Sequence, residues 1–314
     1  MNYGKRRSII ILAVILAVIA VILVGMNIYK TRSSKEFKLG EKGYSNSDIK
    51  IILDSKNITF EEVMNMEYDE NLTKVINEKY FIKSNLKEYL DYMKTNPTIK
   101  ELEVVTPSDI VAIVNVKSHK EFYTDPIPTD VSKEYLILVN KFNYLSKEFI
   151  PDDLVTMGLE FAYSGKEIRS EVYSAFKRLV RDAKKEGLTI IANSTYRSYE
   201  NQEIVYNQKK DSLGTIEADL VATHPGYSEH QTGLAIDVST IGATTETFDT
   251  TDEYRWLEEN AHKYGFILRY PKGKEHLTGI EYESWHYRYV GIDMAKKIKE
   301  ENITFDEYYE YYLR

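Results

Sequence analysis

Cysteine is absent from this chain of 314 residues. That excludes a disulfide framework, a thiolate metal site and a cysteine nucleophile together, and leaves the compartment undecided on redox grounds. Tryptophan is scarce at 2 residues, and histidine at 6, so each histidine can be weighed singly: His119, His224, His230, His262, His276 and His286. Surplus positive charge is missing as well. The chain carries 41 basic against 49 acidic residues, a formal charge of -8, and no segment gathers lysine and arginine as a phosphate-tracking surface would. A nucleic-acid partner is therefore not expected. Tyrosine, by contrast, is abundant at 26 residues, a choice suited to core and surface alike.

One long apolar run stands out, from Ile9 to Met26, with Lys5, Arg6 and Arg7 before it and Lys30 and Arg32 after it. About twenty apolar residues span the hydrocarbon layer. A cleaved leader has a shorter core and a small-residue cleavage site, of which Val24-Gly25-Met26-Asn27 is a weak example. The run reads as a retained transmembrane anchor over 9–26. The basic cluster predicts that residues 1–8 stay in the cytoplasm and the rest is exported, giving a single-pass protein of the cell membrane.

Residues 27–47 read as a linker. Residues 48–118 read as a small α+β spacer domain, with a strand at Ile49–Leu53, a helix after the capping box Thr59-x-x-Glu62, an amphipathic stretch at Leu86–Met93 and a β-rich run at Ile110–Val116. Residues 119–132, with Pro126 and Pro128, read as a boundary before a domain over 133–314. There the pattern predicts strands at Tyr135–Val139, Leu188–Ala192, Leu234–Val238 and Trp285–Val290. Helices are expected at Glu167–Lys185, Tyr199–Lys209, Thr251–Tyr264 and Ala295–Glu301.

Two histidines sit in company that suggests chemistry. His230 is followed seven residues on by Asp237, and Glu283 precedes His286 by three. A catalytic zinc site takes three ligands from imidazole and carboxylate and leaves one position for water. His230, Asp237 and His286 can supply those ligands, and Glu283 a base that is not itself a ligand. Residues three apart on a regular strand project to opposite sides, so Glu283 must lie at a bend just before the strand. Gly233 permits the tight turn between His230 and Asp237. The other four histidines read as surface or core residues. Arg197, leaving the strand at 188–192, can bind a carboxylate or carbonyl through its planar fork, or simply pair with an acidic neighbour.

Ser194-Thr195-Tyr196-Arg197-Ser198-x3-Gln202 resembles the Ser-x-Tyr-Arg-Ser-x3-Gln signature of D-alanyl-D-alanine carboxypeptidases of the VanY type. Ser228-Glu229-His230-Gln231-Thr232-Gly233-Leu234-Ala235-Ile236-Asp237 resembles that family's Ser-x-His-x6-Asp block. The stretch from Asn260 to Pro271, the segment Glu283-x-x-His286-x-Arg288, and Leu138-Val139-Asn140-Lys141 upstream complete a likeness over roughly 135–300. Thr195 and Ser284 depart from the family's usual glycine and proline. The resemblance implies a hedgehog/DD-peptidase-like zinc peptidase domain, a small antiparallel sheet flanked by helices. It implies one Zn2+ on His230, Asp237 and His286, and Glu283 as the base. Arg197 is implied to steady the scissile carbonyl or terminal carboxylate, and Tyr196, Ser198, Gln202 and Ser228 to contact substrate. The substrate implied is the peptide stem of peptidoglycan, cut at D-Ala-D-Ala. Related enzymes act as L,D-carboxypeptidases on tetrapeptide stems or as endopeptidases, and a wall-binding or sensor protein with a decayed zinc fold is the non-enzymatic alternative. Oligomeric state is not legible.

Overall fold

The computed structural model describes residues 3–32 and 34–314, and side chains from residue 14 onward except Arg32. The expected cytoplasmic cluster Lys5, Arg6 and Arg7 thus has its side chains outside the described part. The chain divides into two compact units, Met1–Thr95 and Asn96–Arg314.

In the first unit, helix α1 (Tyr3–Arg32) contains the apolar stretch Val14–Thr31, none of which is buried. Short helices follow: α2 (Lys35–Lys42), α3 (Asn46–Asp54), α4 (Phe60–Asn65), α5 (Leu72–Val75) and α6 (Leu86–Lys94). They bury Leu39, Ile52, Val63, Leu72, Ile76 and Tyr89 against one another. The Thr59/Glu62 capping box forms, with Thr59 N–H donating to Glu62 Oε2 at 2.8 Å.

Two expectations for this region fail. Ile49–Leu53 lies in α3 and not in a strand, and Ile110–Val116 falls largely in helix α7 (Pro107–Asn115). The reason is local. Ser45/Asp48 and Thr106/Asp109 each close a full capping box, and Pro107 sits at the first turn of α7. Such N-terminal chemistry outweighs the modest β preference of isoleucine and valine. Residues 48–118 are consequently neither α+β, with no strand among them, nor one unit, since the division falls after Thr95.

The second unit holds β1 (Ile127–Pro128) paired in parallel with β2 (Asn143–Tyr144), and β3 (Leu154–Thr156) antiparallel to β4 (Glu167–Arg169). Helix α8 (Ser170–Lys185), β5 (Ile191–Ser194), α9 (Tyr199–Leu213), α10 (Thr215–Val221) and β6 (Ala235–Ser239) come next. They precede α11 (Asp252–Asn260), β7 (Phe266–Leu268), α12 (Glu275–Thr278), β8 (His286–Tyr289), α13 (Ile292–Glu301) and α14 (Phe305–Tyr312). The central sheet has four strands in the order β5-β6-β8-β7, all antiparallel, as the small sheet flanked by helices was expected to be.

Helix α8 explains how the sheet is held. Its buried residues Val172, Ala175, Phe176, Leu179, Val180 and Ala183 recur at helical spacing and form one stripe. That stripe packs with Ile236 and Val238 of β6, Phe266 of β7 and Tyr287 and Tyr289 of β8. Because strand side chains alternate, Asp237, His286 and Arg288 are left on the opposite face.

The expected strand at Tyr135–Val139 does not form. A 3₁₀ turn covers Val131–Leu136 instead. The carbonyls of Tyr135 and Ile137 accept from Arg288 Nη2 at 3.0 and 2.7 Å, and that of Leu138 from Thr129 Oγ1 at 2.7 Å, so side chains take the places of a ladder.

Gly265, which ends the 3₁₀ turn after α11, has φ of +90°, and a Cβ there would stand 2.7 Å from the Tyr289 ring and 3.0 Å from the Gly291 backbone. Gly273 has φ of +80° with open space around it. Gly273→Ala is expected to cost about 1–2 kcal/mol for the backbone alone. Gly265→Ala should cost about 2–4 kcal/mol by adding overpacking, a difference that thermal unfolding of the two variants would measure.

Candidate active site

The register of the central sheet assembles the site. Asp237 on β6 pairs directly with His286 on β8, and Ser194 on β5 pairs with Asp237 from the other side. Residues directly opposite on neighbouring strands hold their Cβ atoms about 4.5–5.5 Å apart, within reach of a common ion. His230 arrives from a 3₁₀ turn, Glu229–Thr232, that Gly233 ends in the left-handed region at φ of +65°. A Cβ on Gly233 would stand 2.9 Å from the Arg169 side chain.

His230, Asp237 and His286 each offer an atom within 4.8 Å of the other two. His230 Nε2 is 3.2 Å from Asp237 Oδ2, and His286 Nδ1 is 3.0 Å from Asp237 Oδ1. His230 Nδ1 lies 2.6 Å from the carbonyl of Thr195. A carbonyl can only accept, so Nδ1 carries the hydrogen and Nε2 keeps its lone pair for the ion. The donor set of two buried imidazoles and one partly exposed carboxylate, all converging, suits zinc with a position to spare.

Glu283 lies ahead of a turn at Ser284–Trp285, outside the regular strand, as the bend condition requires. Its N–H donates to the Tyr270 carbonyl at 3.1 Å, and its Oε2 is 3.6 Å from His286 Nδ1. Burial pushes its carboxyl up to about 8; His286 and Arg197 oppose that, while Asp237 adds to it. A divalent ion held by the neighbouring His230, Asp237 and His286 would act against burial and lower the value again.

Burial lowers the His286 imidazole too, yet the carboxylates of Asp237 and Glu229 outweigh it and push that group up to about 9. A proton and a metal ion therefore compete for the same nitrogen.

Arg197 leaves β5 with its backbone N–H on the His230 carbonyl at 3.2 Å. Its Nη1 donates to Gln202 Oε1 at 2.7 Å and its Nη2 to Ser194 Oγ at 2.9 Å, while Gln202 Nε2 donates to the Thr223 carbonyl at 2.8 Å. Those bonds fix both the guanidinium plane and the orientation of the Gln202 amide. The cavity beside the cluster encloses about 230 Å³ and is lined by Arg197, Gln202, Ser228, Glu283 and the three converging residues, along with Thr223, Tyr270 and Lys209.

Two expected contacts are not brought there. Tyr196 and Ser198 do not line the cavity, and Ser198 accepts from Asn201 N–H at 3.3 Å as the N-cap of α9.

Sequence reasoning passed over Glu229, which lies between Ser228 and His230. It is fully buried, with Oε1 accepting from Arg269 Nε at 2.8 Å and Arg288 Nη1 at 2.7 Å. Burial favours its neutral form, but the two guanidiniums hold the carboxyl well below the usual carboxylate range. Arg269 also grips Asp306 of α14 at 2.6 Å. A buried acid beside a histidine was the available signal; its partners, 40 and 59 residues away, were not.

Residues 165–292 match the family model described as VanY, D-alanyl-D-alanine carboxypeptidase. The protein YodJ of Bacillus subtilis (strain 168), named as a carboxypeptidase, is 43% identical over 182 residues, covering 56% of this chain and 67% of its own length. A D-alanyl-D-alanine carboxypeptidase of Enterococcus faecium is 36% identical over 185 residues, 56% of this chain and 57% of that protein. The chain thus spans about three-fifths to two-thirds of these curated relatives. Among solved structures, the LdcB LD-carboxypeptidase, described with the basis of its peptidoglycan recognition, is 40% identical. It covers 61% of this chain and 92% of its own, with a TM-score of 0.56.

Zinc at 100 times its dissociation constant is expected to stabilise chelator-stripped protein by about 2.7 kcal/mol. That corresponds to a rise in Tm of roughly 5–10 °C, which His230→Ala should abolish in the same thermal scan. Because His286 must surrender a proton, the affinity should increase between pH 6.5 and 8.5, by at most about tenfold per unit for one proton, in chelator-competition titrations.

Proposed function

The chain belongs to the VanY family of D-alanyl-D-alanine carboxypeptidases, and we propose on that footing that it removes the terminal D-alanine from peptidoglycan stem peptides as a membrane-anchored zinc enzyme. The observation carrying this reading is the convergence of His230, Asp237 and His286 on one point, with Glu283 partly buried beside it in a cavity of about 230 Å³.

Those three residues would hold one zinc per chain, which would supply the charge to acidify a water at neutral pH and to offset developing negative charge. Glu283 takes the proton of the attacking water and returns it to the departing amine, the task for which a carboxyl of raised pKa is suited. Arg197, its plane fixed by Gln202 and Ser194, meets the carbonyl or carboxylate of the substrate with a bidentate donor edge. Ser228 and Gln202 line the same cavity and help position the peptide. Helix α1 serves as the anchor, and the basic residues Lys5, Arg6 and Arg7 keep its start in the cytoplasm, so that the second unit works on the wall side.

A second reading has a specific observation in its favour. The LdcB enzyme, at 40% identity, is an L,D-carboxypeptidase, so the bond cut here could be the one on a tetrapeptide stem. The ligands, the base and Arg197 serve either bond.

Full-length protein in detergent, incubated with defined penta- and tetrapeptide stems and followed by mass spectrometry, separates the two. Faster release of D-alanine from the pentapeptide supports D,D activity, and the reverse supports the alternative. Glu283→Gln should retain zinc by elemental analysis while turnover drops by roughly 10²–10⁴-fold. Near-normal hydrolysis in that variant would remove Glu283 from the role.

A further inference from the structure

We propose that Glu229 is the positioning residue of the metal site: its free carboxylate oxygen receives the Nε2–H of His286 and so presents Nδ1 of that imidazole to the ion. The proposal rests on the reading of His230, Asp237 and His286 as ligands.

The two oxygens of Glu229 are used differently. Oε1 accepts from both Arg269 and Arg288, at 2.8 and 2.7 Å. Oε2 makes no hydrogen bond, is buried, and lies 3.5 Å from His286 Nε2, which is equally buried and equally unbonded. A buried acceptor and a buried donor left without partners are costly, so their facing one another is significant. A carboxylate held between two guanidiniums has no hydrogen to give. Pairing with it therefore requires the hydrogen on Nε2, which leaves Nδ1 as the lone-pair nitrogen. Nδ1 is the atom that faces Asp237 Oδ1 at 3.0 Å and Glu283 Oε2 at 3.6 Å.

A plain counter-ion for two arginines would need only Oε1. The support of Glu229 extends well beyond the cavity. Arg269 donates to both oxygens of Asp306 in α14, at 2.6 and 3.2 Å, and Asn140 Nδ2 donates to Asp306 Oδ1 at 2.8 Å. Arg288 reaches the carbonyls of Tyr135 and Ile137. None of these supporting groups lines the cavity; Arg269 and Arg288 hold the Glu229 carboxylate directly, Asp306 and the two carbonyls hold the arginines, and Asn140 holds Asp306.

The test is zinc affinity of the full-length protein by competition with a chromophoric chelator, with the absorption spectrum of the cobalt(II)-substituted protein as a second readout. Glu229→Asp keeps the charge that both arginines need but withdraws Oε2 from His286. It is expected to fold, to bind zinc roughly 10–100-fold more weakly and to shift the cobalt bands. Glu229→Gln, which removes the anion, should weaken binding at least as much. If Glu229→Asp binds zinc within twofold of the natural protein and leaves the cobalt spectrum unchanged, the proposal is overturned, even where its Tm falls. Should the unaltered protein bind no zinc, the ligand reading beneath the proposal fails instead.

Discussion

The antiparallel register that sets Asp237 opposite His286 is the constraint on which the rest depends. In a strand the faces alternate, so the same ladder sends Ile236, Val238, Tyr287 and Tyr289 into the core beneath α8. A slip of one residue would drive the aspartate and the histidine into that core and expose its apolar members. Packing and site construction are thus one requirement. The stripe on α8 that stabilises the sheet also keeps Asp237 and His286 facing each other.

Electrostatics then separates two buried glutamates by environment. Glu229 sits between Arg269 and Arg288 and stays ionised despite complete burial. For Glu283 the opposing charges of His286 and Arg197 do not offset burial, which raises its carboxyl. Carboxyls driven in opposite directions within one site are the usual signature of divided roles, one structural anion and one group able to exchange a proton. Three carboxylates and two imidazoles gathered out of water would be costly without compensating cations. Two arginines supply part of that charge, and the lone pair of His230 Nε2, with the one His286 offers once it gives up a proton, suits an ion that would supply the rest.

The supporting network also reaches past the part of the chain that matches the family model. Asp306 and the carbonyls of Tyr135 and Ile137 lie outside residues 165–292 but complete the hydrogen bonding of Arg269 and Arg288, and Asn140, also outside, holds Asp306. Helix α14 begins with its own capping box, Thr304/Glu307, which places Asp306 in the first turn with its carboxylate aimed at Arg269. The segments before and after the matched region are therefore parts of the site's framework.

Much of this was legible in the order of residues. His-x6-Asp and Glu-x-x-His named the converging groups, and the helical stripe of α8 and most strands of the sheet followed from their periodicity. Capping boxes at Thr59 and Thr304 marked true helix starts. The same signals at Ser45 and Thr106 were passed over in favour of the β-branched runs beside them, and two helices were read as strands. Tyr135–Val139 looked like a strand because its apolar residues are buried, but its carbonyls bond to the side chains of Arg288 and Thr129. Residue order carries what is local: which residues begin helices, which faces are apolar, and which side chains are chemically able to hold an ion. Long-range partners are set by the fold, because a guanidinium finds its carboxylate through space and leaves no spacing in the chain to announce it. That is why Glu229, Arg269, Arg288 and Asp306 became a single buried unit only once the fold had brought them together.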